Sequence, residues 1–147
     1  MEIRIANEHD AADIADIIKR HAQEDYMGYA TFEEKYIRDK MKRDYFVVAD
    51  EDGIIGCVRL SIVDIDLAEI RTMCVDETYR KNGIATQLMN ETMKISKAKK
   101  IRKLITRTKA DNKIAINFFK KFNFVEEGYF REHYRKGIDV IQFSLFI

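Results

Sequence analysis

Proline is absent from the 147 residues, and neither a Ser/Gly-rich linker nor an internal repeat interrupts them, so nothing in the chain marks a domain boundary. Cysteine is scarce. Cys57 and Cys74 both sit inside apolar, strand-like runs without metal-ligand spacing, which reads as reduced core thiols and no metal. Charge of either sign is not in excess: 26 Lys and Arg face 25 Asp and Glu, so bulk charge gives no reason to expect a nucleic-acid partner or an anionic membrane surface. Long apolar runs are missing too. None approaches the ~20 residues of a membrane span, and Met1-Glu2-Ile3-Arg4 does not open a signal peptide. With 46% hydrophobic and 35% charged side chains, the expectation is one cytoplasmic domain over residues 1–147 with its own core, monomeric or homodimeric.

What is present is periodicity. Glu2 to Ala6 alternates like a strand, and Asn7 can cap a helix with Ala11, Ile14, Ile17, Ile18 and His21 on one face. Thr31 with Glu34 forms a capping-box pattern for a second helix presenting Tyr36, Ile37 and Met41. Tyr45 to Ala49, Ile54 to Val63 and Leu67 to Val75 read as an antiparallel meander, turning first at Asp52-Gly53. Gly83 then opens a helix carrying Ile84, Leu88, Met89 and Met93, and Lys103 to Thr108 follows as a strand. Strand, helix, strand is a crossover unit, which makes its two strands parallel and places ligands near the turn after Val75. A helix from Asn112 to Phe122 aligns Ile114, Ala115, Phe118, Phe119 and Phe122. Two last strands, about Phe124 to Tyr134 and Ile138 to Phe146, should meet at Lys136-Gly137 as a hairpin. The class is α/β: a mixed, mostly antiparallel twisted sheet of about seven strands with four helices.

The chemistry-bearing segment lies where a strand ends, a glycine turn follows and a helix begins: Arg80-Lys81-Asn82-Gly83-Ile84-Ala85. A pyrophosphate needs converging backbone N–H donors at a helix N-terminus, and a side chain at Gly83 would obstruct its approach. The Gly-Lys-Ser/Thr end of a nucleotide P-loop and the Gly-x-Gly-x-x-Gly of a dinucleotide fold are both lacking. Arg80-x-x-Gly83-x-Ala85 resembles the acetyl-CoA signature of the GNAT superfamily of N-acetyltransferases. Asn112-x-x-Ala115-x-x-Phe118-Phe119, running on to Asn123-Phe124, is similar to that superfamily's second signature, with Asn123 in place of its glycine. The likeness spans essentially the whole chain and is strongest from Leu67 to Phe124.

The resemblance implies acetyl-CoA as cosubstrate and a primary amine as acceptor: a small molecule, an amino sugar, a protein N-terminus or a lysine. It implies that the backbone of Met73, Cys74 and Val75 pairs with the pantetheine arm and that Arg80, Lys81, Asn82, Gly83, Ile84, Ala85 and Thr86 surround the pyrophosphate. Asn112 either reaches the arm or only caps its helix. A lysine-like amine is neutral at pH 7 in only about one part in a thousand, so a proton acceptor is needed. Glu69, eleven residues before Arg80, stands where members of the superfamily keep an acid; the other reading is a solvated strand carboxylate. Simple alternation would put Glu69, Arg71, Met73 and Val75 on one face. A backbone N–H near Met73 or Cys74 can stabilise an oxyanion. Many members donate a proton to the leaving thiolate from a tyrosine, but Phe119 fills that place beside the cofactor, leaving Tyr134, Tyr129, water or no acid.

Tyr26, Tyr29, Glu69, Arg71 and His133 are the expected acceptor-side residues, with Glu24 and Asp25 on the same loop suited to a cationic amine. Cross-strand packing is the other role open to His133. Two other function classes compete. A domain that binds acyl-CoA without turnover is kept open by Phe119. A basic binding module is suggested by Lys94, Lys97, Lys99, Lys100, Arg102, Lys103, Arg107 and Lys109, although this run lacks interleaved aromatics.

Overall fold

The structure, a computed structural model, describes residues 1–22, 26–28 and 32–147. In order along the chain are β1 (Glu2–Ile5), α1 (Ala11–His21), α2 (Glu34–Lys40), β2 (Tyr45–Asp50), β3 (Ile54–Asp64), β4 (Leu67–Val75), α3 (Ile84–Ala98), β5 (Lys103–Lys109), α4 (Lys113–Lys121), β6 (Val125–Phe130) and β7 (Val140–Phe146). Seven strands form one sheet in the order β1-β2-β3-β4-β5-β7-β6. Every pairing is antiparallel except β4 with β5, the crossover joined by α3.

The two faces of the sheet bury two different clusters. Along β2, Val47 and Ala49 face the larger one with Leu88 and Met89 of α3 and Phe119 of α4. Phe46 and Val48 face the other, with Ile14, Ile17 and Ile18 of α1 and Ile37 of α2. Strand alternation thus assigns α3 and α4 to one side and α1 and α2 to the other. Inside α3, two buried hydroxyls are satisfied locally: Thr92 donates to the carbonyl of Leu88 and Ser96 to that of Thr92, each at 2.8 Å. Cys57 and Cys74 meet across β3 and β4 as free, buried thiols 3.7 Å apart. The contact with Cys74, together with burial, pushes the Cys57 thiol well up, which suits packing and not nucleophilic work.

Four expectations need correction. The capping box forms at the other end of the N-terminal region: Asn7 accepts from the backbone of His9 while Asp10 accepts from that of Asn7, closing a single 3₁₀ turn over Glu8–Asp10 before α1 starts. α2 begins at Glu34 after Glu33, without a side-chain cap, so Glu34 is not three residues in; Thr31 lies outside the described residues. Ile114 is 86% exposed, and Ile116 instead packs on the core from α4. The last hairpin is joined by a long loop over 131–139, so His133 and Tyr134 lie in a loop and the cross-strand place for His133 is not taken.

Two features of β4 place the site. Pairing with β5 runs only from Leu67 and Lys103 to Ile70 and Thr106, although both strands continue. Beyond that point the sheet splits. On its other edge, Val58 pairs with Met73 but Leu60 pairs with Ile70, so β4 carries one extra residue at Arg71-Thr72. Such a bulge reverses the alternation. Ala68 and Ile70 face the α3 cluster before it, whereas Met73 and Val75 do so after it and Cys74 turns to the α1 cluster. The expected common face of Glu69, Arg71, Met73 and Val75 is therefore broken, with Glu69 on the α1 and α2 side.

Candidate active site

The loop after β4 is shaped by its own polar groups. Asp76 accepts from the backbone and hydroxyl of Thr78, both at 2.9 Å, starting a 3₁₀ turn over Glu77–Tyr79; these hydrogen bonds hold its carboxyl below the usual range. Arg80 points back, donating from Nε to the Val75 carbonyl at 3.0 Å and from Nη2 to the His21 carbonyl at 3.3 Å. Its side chain thereby ties the loop to the ends of β4 and α1. Asn82 closes the turn by donating to the carbonyls of Tyr79 and Arg80.

Lys81 and Gly83 both adopt left-handed backbone, with φ of 65° and 75°. Gly83 is the N-cap of α3, and an added Cβ there would meet no protein atom within 4 Å. The first helical acceptor is the Gly83 carbonyl, bonded to Gln87, so the N–H groups of the first turn have no partner inside the helix. Among the described residues no side-chain cap is seen for them, and no acid stands in that turn. The result is an open N-terminus of a 15-residue helix facing empty space, with the split between β4 and β5 beside it. A pyrophosphate on these N–H groups and an extended arm along the free edge of β4 fit this arrangement. The buried Thr108 hydroxyl of β5, past the split, has no hydrogen-bond partner among the described residues.

On the α1 and α2 side of the split, a cavity of about 80 Å³ is lined by Tyr26, Met27, Gly28, Tyr36, Arg59, Glu69, Arg71, Thr72, Arg107 and Tyr134. Neighbouring strands bring its charges together: Arg59 from β3, Glu69 and Arg71 from β4, Arg107 from β5. Glu69 has 13% of its side chain exposed and lies 3.8 Å from the Arg71 guanidinium. Arg59 is neutralised from behind by Asp44 at 2.6 Å, both 9% exposed, and donates to the Tyr36 hydroxyl at 3.1 Å. Burial pushes the Tyr26 phenol up, so it stays a neutral donor. The Tyr134 hydroxyl accepts from Arg107 at 2.7 Å, which leaves its own proton to donate.

Residues 11–124 match the sequence profile described as the acetyltransferase (GNAT) family. The chain belongs to that family. The resemblance carried by Arg80, Gly83 and Ala85 is therefore borne out, and with it the α/β fold. N-alpha-acetyltransferase 30 of Schizosaccharomyces pombe is 24% identical over 139 residues, covering 91% of this chain and 90% of that protein. The structure of the ribosomal-protein-S18-alanine N-acetyltransferase from Escherichia coli superposes with a TM-score of 0.85 at 18% identity, covering 99% of this chain and 93% of the other. A GNAT acetyltransferase from Elizabethkingia anophelis, solved with acetyl-CoA bound, superposes with a TM-score of 0.79 at 17% identity over 99% and 97% of the two chains. GNAT enzymes transfer acetyl groups from acetyl-CoA, and this chain is an acyltransferase of their kind.

Of the expected acceptor-side residues, Tyr26, Glu69 and Arg71 line the cavity together with Tyr134. Tyr29, like Glu24 and Asp25, lies outside the described residues. His133 sits next door in a broad, open depression with Tyr129 and Asp139, its ring against Tyr134 and its Nε2 3.4 Å from Arg107. Asn112 caps α4, accepting from the Ala115 N–H at 3.2 Å. Phe119 is 5% exposed, edge-on to Phe118 and Phe124 in the main core. Sequence reasoning missed Arg59, Arg107, Tyr36 and Asp44. The basic run hid Arg107, yet its members separate in space: Lys94 pairs with Glu91, Arg102 with Asp66, Lys103 with Glu127, and Lys99 lies over Tyr45. Alternation along β5 was the available signal, since it puts Arg107 on the face of Ile105, the partner of Glu69.

Proposed function

We propose that residues 1–147 act as one N-acetyltransferase domain, cytoplasmic and monomeric or homodimeric, that passes the acetyl group of acetyl-CoA directly to a primary amine. The observation that carries this is the meeting of Glu69 and Tyr134 in one small cavity beside the split between β4 and β5. Acetyl-CoA, when bound, supplies an activated acetyl group on a good leaving group. Its phosphates are held by the N–H groups from Arg80 through Thr86, and its arm by the β4 backbone at Met73, Cys74 and Val75, with Asn112 flanking it, while Phe119, 5% exposed, stays in the core.

Glu69 removes a proton from the incoming ammonium, directly or through a water, so that the nitrogen lone pair becomes available. Its place beside Arg71 sets its carboxylate among the groups that line the cavity. A β4 N–H near Met73 or Cys74 faces the developing negative oxygen. Tyr134 donates a proton to the departing sulfur, its oxygen held by Arg107. Tyr26 and Arg71 form walls of the acceptor cavity, with His133 in the depression beside it. Because one similar protein is named an N-alpha-acetyltransferase and another a ribosomal-protein-S18-alanine N-acetyltransferase, an α-amine is the first acceptor to try. Thiol release from acetyl-CoA over an amine panel tests transfer. Glu69→Gln should lower kcat about 100-fold at pH 7 with acetyl-CoA KM unchanged and recover partly at high pH, where the amine is already neutral; parallel pH profiles would return Glu69 to a solvated carboxylate.

A further inference from the structure

Three arginines reach the acceptor cavity and only one acid does among its lining residues. Two of the three are already matched. Arg59 has Asp44 at 2.6 Å behind it, and Arg71 has Glu69 at 3.8 Å. Arg107 is different. Its Nε donates to the Gln142 side-chain oxygen at 2.9 Å, its Nη1 donates to Tyr134 and approaches His133, and its plane lies over the rings of Phe130 and Tyr134. Among the described residues none of these partners is a carboxylate. The nearest carboxylate along this network, Glu127, is one side chain away and committed: it accepts from Gln142 at 2.6 Å and pairs with Lys103 at 2.9 Å. Asp139, on the loop beside His133, is held by Tyr129 and by the Glu132 N–H.

A guanidinium kept half-buried, oriented by partners that carry no negative charge and set at the wall of a cleft is preorganised for a planar anion. From this we infer that the acceptor carries an anionic group, a carboxylate or phosphate, close to the amine that is acetylated, and that Arg107 is the residue that selects it. The inference rests on the transfer reading above for the identity of the cavity. It reverses the cationic acceptor suggested by Glu24 and Asp25, because a cation would meet Arg71 and Arg107 at the walls. The small volume admits the amine and its immediate neighbour, so the charge must lie within a few bonds of the nitrogen.

Pairs with and without the anionic group test it: glycine against glycinamide, aminoethyl phosphate against ethanolamine, and the peptide Asp-Ala-Ala amide against Asn-Ala-Ala amide, with spermidine as the cationic probe. The wild type should favour the anionic member of at least one pair about tenfold in kcat/KM. The pair that responds identifies the source as a free amino acid, a phosphorylated amine or an acidic first residue of a peptide. Arg107→Gln should bring that ratio close to one by raising KM for the anionic member, and Arg107→Lys should keep part of it. Because the ratio is internal to each variant, loss of folded protein cancels. Ratios below threefold for every pair, a preference for spermidine, or a preference that survives in Arg107→Gln would overturn the inference. If no amine releases thiol, the transfer reading fails, and calorimetric titration of the coenzyme A-loaded protein with the same seven compounds decides the rest. Binding of an anion that Arg107→Gln loses upholds Arg107 as its receptor, and no binding overturns it.

Discussion

At single residues, the site depends on backbone geometry as much as on side-chain chemistry. On the proposed reading Gly83 is required twice: a pyrophosphate there needs open space, and a φ of 75° costs an ordinary residue about 1–2 kcal/mol. The two demands can be separated with asparagine, which tolerates left-handed backbone. Gly83→Asn should melt close to wild type and still lose coenzyme A affinity by calorimetry, whereas Gly83→Val should lose both. A Gly83→Asn protein that binds normally would remove the pyrophosphate from this helix end. Phe119 is the opposite case, a residue whose ring is held by the core. Phe119→Ala should cost about 3–5 kcal/mol in urea unfolding, as for other large-to-small changes at fully packed aromatics.

Among elements, polar contacts between strands and helices set where the walls of the cavity stand. Arg4 of β1 reaches Asp10, ahead of α1, at 2.8 Å and Asp50, at the end of β2, at 2.9 Å. Arg4 holds the Asp10 carboxyl below its usual range, so this contribution is full above the unfolded carboxylate pKa of ~3.9 and is lost as pH falls through the depressed folded value. Asp10→Asn should therefore cost about 1–2 kcal/mol at pH 7. The gap to wild type in chemical unfolding should narrow steadily below pH 4. The Arg59–Asp44 pair is more deeply placed, and removing one member strands a charge. Asp44→Ala should destabilise by about 3–5 kcal/mol and shift the Arg59 wall of the cavity. Crossover and meander were legible from periodicity and turn residues, and so was the pairing of the last two strands, but not the long loop over 131–139 that joins them. The bulge at Arg71-Thr72 was not legible, because Met73-Cys74-Val75 are all apolar and fit either phase of the alternation.

For the molecule as a whole, the sheet is continuous only as far as Ile70 and Thr106, and its two halves lean on different strands beyond that line. A ligand lodged in the split touches both halves and binds only the folded chain. At a hundred times its dissociation constant, coenzyme A should add about 2.7 kcal/mol, a rise in Tm of roughly 5–11 °C for a chain of this size. Differential scanning fluorimetry with and without coenzyme A measures it, and the same scan on Gly83→Asn should show almost no rise.

By itself the sequence determined the succession of elements, the glycine turn at the head of α3 and the membership signalled by Arg80, Gly83 and Ala85, because these depend on residues close together in the chain. It also singled out Glu69, Arg71, Tyr26 and Tyr134. Only the tertiary structure decided that those four share one cavity with Arg59 and Arg107, drawn from strands far apart in sequence. The physical reason lies in pairing. Strand register, the bulge in β4 and the point where β4 leaves β5 are set by contacts between distant segments, and they determine which way each charged side chain turns.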